Sequence, residues 1–318
     1  MLKNFIEIVE IRGREIIDSR GNPTLEVQVV VCDDDGKHHT AIAAVPTGAL
    51  DLRDGGDRYN GLGVEKAVMN INDRIADEIC GMNALDQVAV DQKMLEHDGT
   101  PNKENLGGNA ILGVSLAVAK AAAIAFKLPL YQYLGGFSAR SLPVPMVNVL
   151  TMDTQEFLIM PVGAASFKEA LQWSAEIYST VKAKTRELSN TDEAREFILE
   201  AVEAAGYEPD TEICITTDSE LREDPNVTLV KINEIGTLTE TFDLISQAQR
   251  NGMNAIIYSS DSETEDTTIA DIAVAVNAGQ IKIGSLTGAN IAKYNQLLRI
   301  EEELEDVVEY SGLNSEVQ

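Results

Sequence analysis

Cysteine and histidine are both scarce in this chain. Cys32, Cys80 and Cys214 are odd in number and at no metal-like spacing. That argues against a disulfide framework or thiolate cluster and for small buried hydrophobes in a reducing compartment. His38, His39 and His97 have no partner at metal spacing, so each is expected at the surface. No run approaches the ~18 consecutive apolar residues of a membrane span. The start, Met1-Leu-Lys-Asn-Phe-Ile-Glu7, lacks a signal peptide's apolar centre, and a cytoplasmic protein is expected. Basic residues are also short, 25 against 52 acidic ones, for a formal net charge of −27. Such a field repels nucleic acid and anionic membranes, so neither is expected as a partner. The excess charge itself reads as a solubility device or a salt-adapted surface.

The 318 residues are enough for about two domains with real cores. In the first half, Ile8–Gly13 and Leu25–Val31 read as strands around a Gly-Asn-Pro turn, with Cys32 to His39 as a charged hairpin tip. Helical period follows at Val64–Met82 and Gln87–Glu96, then an Ala-rich, nearly all-apolar helix at Gly107–Ala123 that must be buried on most sides. The second half has strand-like runs at Val144–Leu150, Gln155–Gly163 and Glu212–Asp218, with helices at Phe167–Leu188 and, after an Asn-Thr-Asp capping cluster, Asp192–Ala205. Three strand–helix units close the chain: Val227–Ile232 with Thr237–Gln249, Asn254–Tyr258 with Thr267–Asn277, and Gln280–Gly284 with Ile291–Leu304. Lys231 and Lys282 stand inside the first and third of these strands. A charge there is either a site residue at the carboxyl end of a barrel strand or a snorkelling edge residue.

Val230-Lys-Ile-Asn-Glu-Ile-Gly-Thr-Leu-Thr-Glu-Thr241, Glu263-Thr-Glu-Asp-Thr-Thr-Ile-Ala-Asp271, Asn277-Ala-Gly-Gln-Ile-Lys-Ile-Gly-Ser-Leu286 and Ala292–Leu304 resemble the closing third of enolase. Ile11-Arg-Gly-Arg-Glu-Ile-Ile-Asp-Ser-Arg-Gly-Asn-Pro-Thr-Leu-Glu-Val27 resembles the opening of that family's smaller domain. The resemblance implies an α/β protein with an enolase-like N-terminal α+β domain at 1–138 and a truncated, TIM-like parallel β/α barrel at 139–318. It also implies roles. Lys231 would remove the carbon-bound proton of 2-phosphoglycerate, Lys282 would hold the substrate carboxylate, and Glu156 would support the proton-donating side. Asp218 would be the first of three magnesium carboxylates. Glu26 would pair with Arg299 across a homodimer interface, a contact that by itself contributes little.

The departures from the family pattern fall on its active-site loops. The mobile loop that closes over substrate is reduced to Pro46–Gly55, with Thr47 the one candidate remnant of its metal-binding serine. Leu150 passes through Thr151–Thr154 straight to Gln155, without the family's histidine loop, and only Glu187–Thr191 stands where the family's acid/base glutamate loop would be. Asp218 leads within a few residues into Val227, so about two βα units and the other two metal carboxylates are missing. Glu220, Glu223 and Asp224 are nearby oxygens in what reads as a solvated loop. Tyr258-Ser-Ser-Asp-Ser-Glu-Thr264 has serines where the family has a histidine and its phosphate-binding arginine, and Asp261 where it has a serine, and Thr287–Ile291 lacks another basic group. The acidic tail from Asp306 to Gln318 is expected to fray. About six strands cannot make a closed eight-stranded barrel, so the sheet either closes smaller or stays open with edges to cover. The expectation is an enolase-like protein impaired or inactive in catalysis. The alternatives are a reduced, magnesium-dependent phosphopyruvate hydratase, a lyase acting on another small acid with Lys231 as base, and an artificial or incomplete product of an enolase sequence.

Overall fold

The computed structural model describes residues 5–184, 188–259 and 262–312. Two compact units emerge, and neither is one run of sequence. The first gathers the described parts of 1–134, 231–246 and 260–268, and the second those of 135–230, 247–259 and 269–318.

In the first unit β1 (Glu7–Ile17), β2 (Pro23–Cys32) and β3 (His38–Ala44) form an antiparallel sheet in the order β1-β2-β3. Leu25, Val27, Val29 and Val31 alternate onto one face of β2 and are fully buried. They pack against the helix Gly108–Ala125, the buried Ala-rich helix that the sequence predicts. Gly113 is required at that contact, because a Cβ there would stand 2.6 Å from Val27 Cγ2. Among the described residues this is the one helix long and apolar enough to cross a membrane, and 83% of it is buried inside the protein.

Three expectations are corrected in this unit. His39, expected at the surface, is buried with Nε2 2.7 Å from Asp33 Oδ2. Strand period puts it on the inward face of β3 with Ala41 and Ala43. Cys80, expected to be buried, is exposed beyond the end of the helix Ala76–Ile79; all three cysteines are free thiols. The helix expected over Val64–Met82 contains a π-helical turn at Asn70–Ile75, where Asn70 Nδ2 leaves the axis to donate to the carbonyls of Asn105 and Leu106.

The second unit holds β4 (Ser141–Leu142), β5 (Val144–Met152), β6 (Gln155–Met160), β7 (Cys214–Thr217), β8 (Val227–Val230), β9 (Asn254–Tyr258), β10 (Gln280–Gly284) and β11 (Glu309–Tyr310). Six of these make a sheet in the order β7-β6-β5-β10-β9-β8, while β4 and β11 pair separately. Neighbours from β5 to β8 in that order are parallel, and β6 runs antiparallel to both β5 and β7. A two-residue turn joins β5 to β6, with Met152 opposite Gln155 and Asp153 left-handed at φ 54°.

The sheet is open: β7 and β8 are its two ends. It nevertheless curls. Four strand spacings separate β6 from β8, about 19 Å on a flat sheet, yet Leu158 and Met160 of β6 share one buried cluster with Val227 of β8. The helix Asp218–Glu223 packs against β6, β7 and β8 and adds Leu221 to that cluster. Nine residues, six of them helical, thus span the gap between the edge strands, and the unit is a truncated, parallel-rich β/α barrel with a helical bridge. Leu221→Ala is expected to lower stability by about 2 kcal/mol, near the lower end for buried leucines because a short helix can settle into the space. A denaturant midpoint shift at unchanged slope is the check.

Two strand ends differ from the sequence expectation. β8 stops at Val230, where its register with Ile257 of β9 ends, and Lys231 becomes the N-cap of the helix Ile232–Ile235, which Gly236 terminates at φ 112°. β7 stops at Thr217 because Thr217 and Glu220 form a capping box, which draws Asp218 into a helix. The predicted cap before Asp192 is present, with the Asn190 side chain accepting from Glu193 N.

Candidate functional site

The carboxyl ends of the parallel strands, with the amino end of β6, bring three of the expected site residues together in the second unit. Lys282 lies on β10 opposite Tyr258 of β9. Its side chain is 2% exposed, and Nζ stands 2.6 Å from Glu156 Oε2 and 4.5 Å from the centre of the Tyr258 ring. Asn148 of β5 donates from Nδ2 to Glu156 Oε1 at 2.8 Å. The Glu156 backbone N–H donates to Asp218 Oδ1 at 2.9 Å, and Asp218 Oδ2 is 3.1 Å from Arg222 Nη2. Beside these, Glu220 Oε1 meets Arg195 Nη2 at 2.7 Å while Oε2 accepts from Thr217 N at 2.8 Å. Lys282, Glu156, Asp218 and Arg222 therefore form one linked chain of charges.

Burial pushes the Lys282 ammonium towards neutrality, but Tyr258 and Glu156 more than offset it, and the net shift is upward. Burial likewise works against the Glu220 carboxylate, yet the Thr217 N–H and Arg195 hold it below the usual carboxylate range. Behind the site Tyr294 donates to the Gly284 carbonyl at 2.7 Å, and burial pushes its phenol far above the ordinary value.

Lys231 belongs to the first unit, where its Nζ lies 3.1 Å from Glu234 Oε1. Glu26 is engaged by Arg14 across β1 and β2 at 2.7 Å, and Arg299 donates to Gln296 Oε1 at 3.2 Å. The shortened loop after Pro46 is held by its own polar network. Thr47 and Ser262 both donate to Asp18 Oδ2, at 3.0 and 2.9 Å, and Asn233 Nδ2 donates to the Thr47 carbonyl at 2.8 Å. Arg53 adds bonds to the Pro23 and Leu62 carbonyls, both at 2.7 Å. Burial would raise the Asp18 carboxyl, but the Asn22 N–H, Ser262 and further donors bring it below the usual value. The departures at Ser260 and Asp261, at Glu187 and in the tail beyond Gly312 lie outside the described residues.

A magnesium ion, which the resemblance implies, demands several oxygens at close to octahedral geometry. Among the described residues no group of three or more His, Cys, Asp or Glu is placed to hold one. Both oxygens of Asp218 are engaged, one of them by a guanidinium, and Glu156 and Glu220 are each paired to their own cation. The residues present do not fit a divalent cation.

The sequence reading missed Asn148, Arg195 and Arg222. Arg222 could have been found from the Thr217-Asp-Ser-Glu220 capping signal, which starts a helix and puts Arg222 one turn beyond Asp218. Nothing local in the sequence links Arg195 or Asn148 to the site.

Two family models match the chain: Enolase, N-terminal domain, over residues 8–134, and Enolase, C-terminal TIM barrel domain, over 139–224 and 220–318.

Proposed function

The chain belongs to the enolase family, and from that premise we propose that it is a non-catalytic member, built as domains at 1–138 and 139–318. The observation that carries this reading is the mutual pairing of the retained groups. Lys282, expected to take the substrate carboxylate, is held by Glu156 at 2.6 Å, and Asp218, expected to take metal, is held by Arg222 at 3.1 Å.

Dehydration of 2-phosphoglycerate removes a proton beside a carboxylate and expels hydroxide from the next carbon, giving phosphoenolpyruvate and water. It needs a base on one face and an acid on the other. The carbanionic intermediate carries an extra charge on the carboxylate, and stabilising it is usually the largest catalytic contribution. Lys231 could serve as base, but a lysine committed to a glutamate and a carboxylate committed to an arginine do not supply that stabilisation. The molecule we infer is a cytoplasmic homodimer, with Glu26 and Arg299 at its interface, that keeps the scaffold and not the turnover.

The test follows the absorbance of phosphoenolpyruvate at high protein concentration, with magnesium and with chelator, beside Lys231→Ala. The expected rate equals that of the variant. Turnover that needs both magnesium and Lys231 would instead establish a reduced phosphopyruvate hydratase.

A further inference from the structure

Three carboxylates near the carboxyl end of the second unit's strands are matched one to one by cations: Glu156 by Lys282, Asp218 by Arg222 and Glu220 by Arg195. Each of these three carboxylates is therefore already neutralised by a cation of its own, which weakens its pull on a dication. We propose that Arg222 is a built-in replacement for a divalent metal ion: its guanidinium holds the charge of Asp218, so this end of the half-barrel forms without metal and takes none. The inference deepens the non-catalytic reading and rests on it, since an enolase-type reaction needs the ion.

Asp218 is only 5% exposed, and a carboxylate so placed needs partners for its charge and both oxygens. The Glu156 N–H and the Arg222 guanidinium supply them. The arrangement follows from the capping box, which begins the helix at Asp218 and so brings the side chain four residues later onto the same face. A metal ion could reach Oδ2 only by displacing a group that is charged at every accessible pH and would repel it. Displacement would also leave the ion with one carboxylate oxygen, because the oxygens of Glu156 and Glu220 already accept from Asn148, Lys282, Arg195 and Thr217.

The experiment measures thermal unfolding of the full chain in EDTA and in MgCl2 at matched ionic strength, with Mn2+ binding read by water-proton relaxation. The native protein is expected to unfold within ~1 °C in the two buffers and to bind no Mn2+ at millimolar concentration. Arg222→Gln is expected to unfold about 3 °C lower in both buffers and still to bind no Mn2+, because the other oxygens stay engaged; adding Asp218→Asn, which removes the charge left unpaired, should recover part of the loss. Arg222→Lys, which keeps the charge, should behave like the native protein and guards against a simple folding defect. Saturable stabilisation of the native protein by Mg2+, lost in Asp218→Asn, would overturn the proposal. So would an Arg222→Gln protein as stable as the native one. If the native protein turns over 2-phosphoglycerate in chelator, the non-catalytic reading falls and this one stands. If it binds Mg2+ at Asp218 without turnover, the reverse holds.

Discussion

Glu156→Gln is expected to destabilise the protein by about 3 kcal/mol, because it leaves the Lys282 ammonium buried without its counter-charge. The glutamate is 21% exposed and the lysine 2%, which places the loss at the lower end for broken buried pairs. Glutamine keeps the shape and can still accept from Asn148, so the change isolates the charge. The Tyr258 ring, 4.5 Å from Nζ, compensates only in part. Adding Lys282→Met should restore most of the loss, since a paired charge exchanged for an apolar side chain of similar length is often close to neutral. A double-mutant cycle from urea unfolding measures the coupling, and a Glu156→Gln cost below about 0.5 kcal/mol would mean that water already satisfies the ammonium. The pH dependence has a definite sign. Burial lowers the Lys282 pKa, Tyr258 and Glu156 raise it further, and the folded value ends above the unfolded one. The stabilisation is therefore fully present below about pH 10.4 and is lost only as pH rises through the folded value. Between pH 7 and about 10 this pair should contribute a flat term in the native protein.

Much of this fold is written in local pattern. The alternation Leu25, Val27, Val29, Val31 and the Ala-rich run around Gly113 each admit one burial pattern, and both elements form as expected. Chain ends of elements were harder to read, because two signals compete there. Lys231 continues an apolar strand-like run, yet β8 has only β9 beside it, and the helix that Gly236 closes captures the lysine. Thr217 looks like the last strand residue before a loop, but its side chain starts a helix. Missing that helix hid both the bridge across the open sheet and the pairing of Arg222 with Asp218. The absence of the family's other two metal carboxylates was legible in the sequence. What replaced the metal was not, since Arg195 meets Glu220 across 25 residues and Lys282 meets Glu156 across 126, through tertiary packing alone.

Asp266→Ala is expected to have the largest effect of any single change considered, about 4 kcal/mol. The carboxylate is largely buried in the first unit, with 10% of its side chain exposed. Oδ2 lies 2.5 Å from Lys120 Nζ and accepts from the Ala44 N–H at 3.0 Å, while Oδ1 accepts from the Thr268 N–H at 2.8 Å and from its hydroxyl. One side chain thus ties the end of β3, the helix Gly108–Ala125 and the segment 262–268 together, and its removal leaves Lys120 Nζ with the Ile42 carbonyl at 3.2 Å in place of its counter-charge and strands two backbone donors. Burial would raise this carboxyl, but the Lys120 charge and the Thr268 bonds outweigh it and the net shift is downward. A carboxylate with a depressed folded pKa stabilises above its unfolded value, about 3.9, and that stability is lost as pH falls through the folded value. The native protein should therefore lose stability below about pH 4, and Asp266→Asn should remove this part of the acid sensitivity while being less stable at pH 7. Lys120→Met gives the opposite signature: without the ammonium burial dominates, the carboxyl pKa rises, and this group then costs stability at neutral pH and returns it as pH falls. Residues 262–268 lie in sequence between β9 and the start of the helix Thr268–Ala275 but pack in the first unit, so amide exchange should report their release in Asp266→Ala before β1–β3 open. If those amides stay protected to the same degree as in the native protein, the segment is held by its apolar contacts and the ion pair is incidental to it.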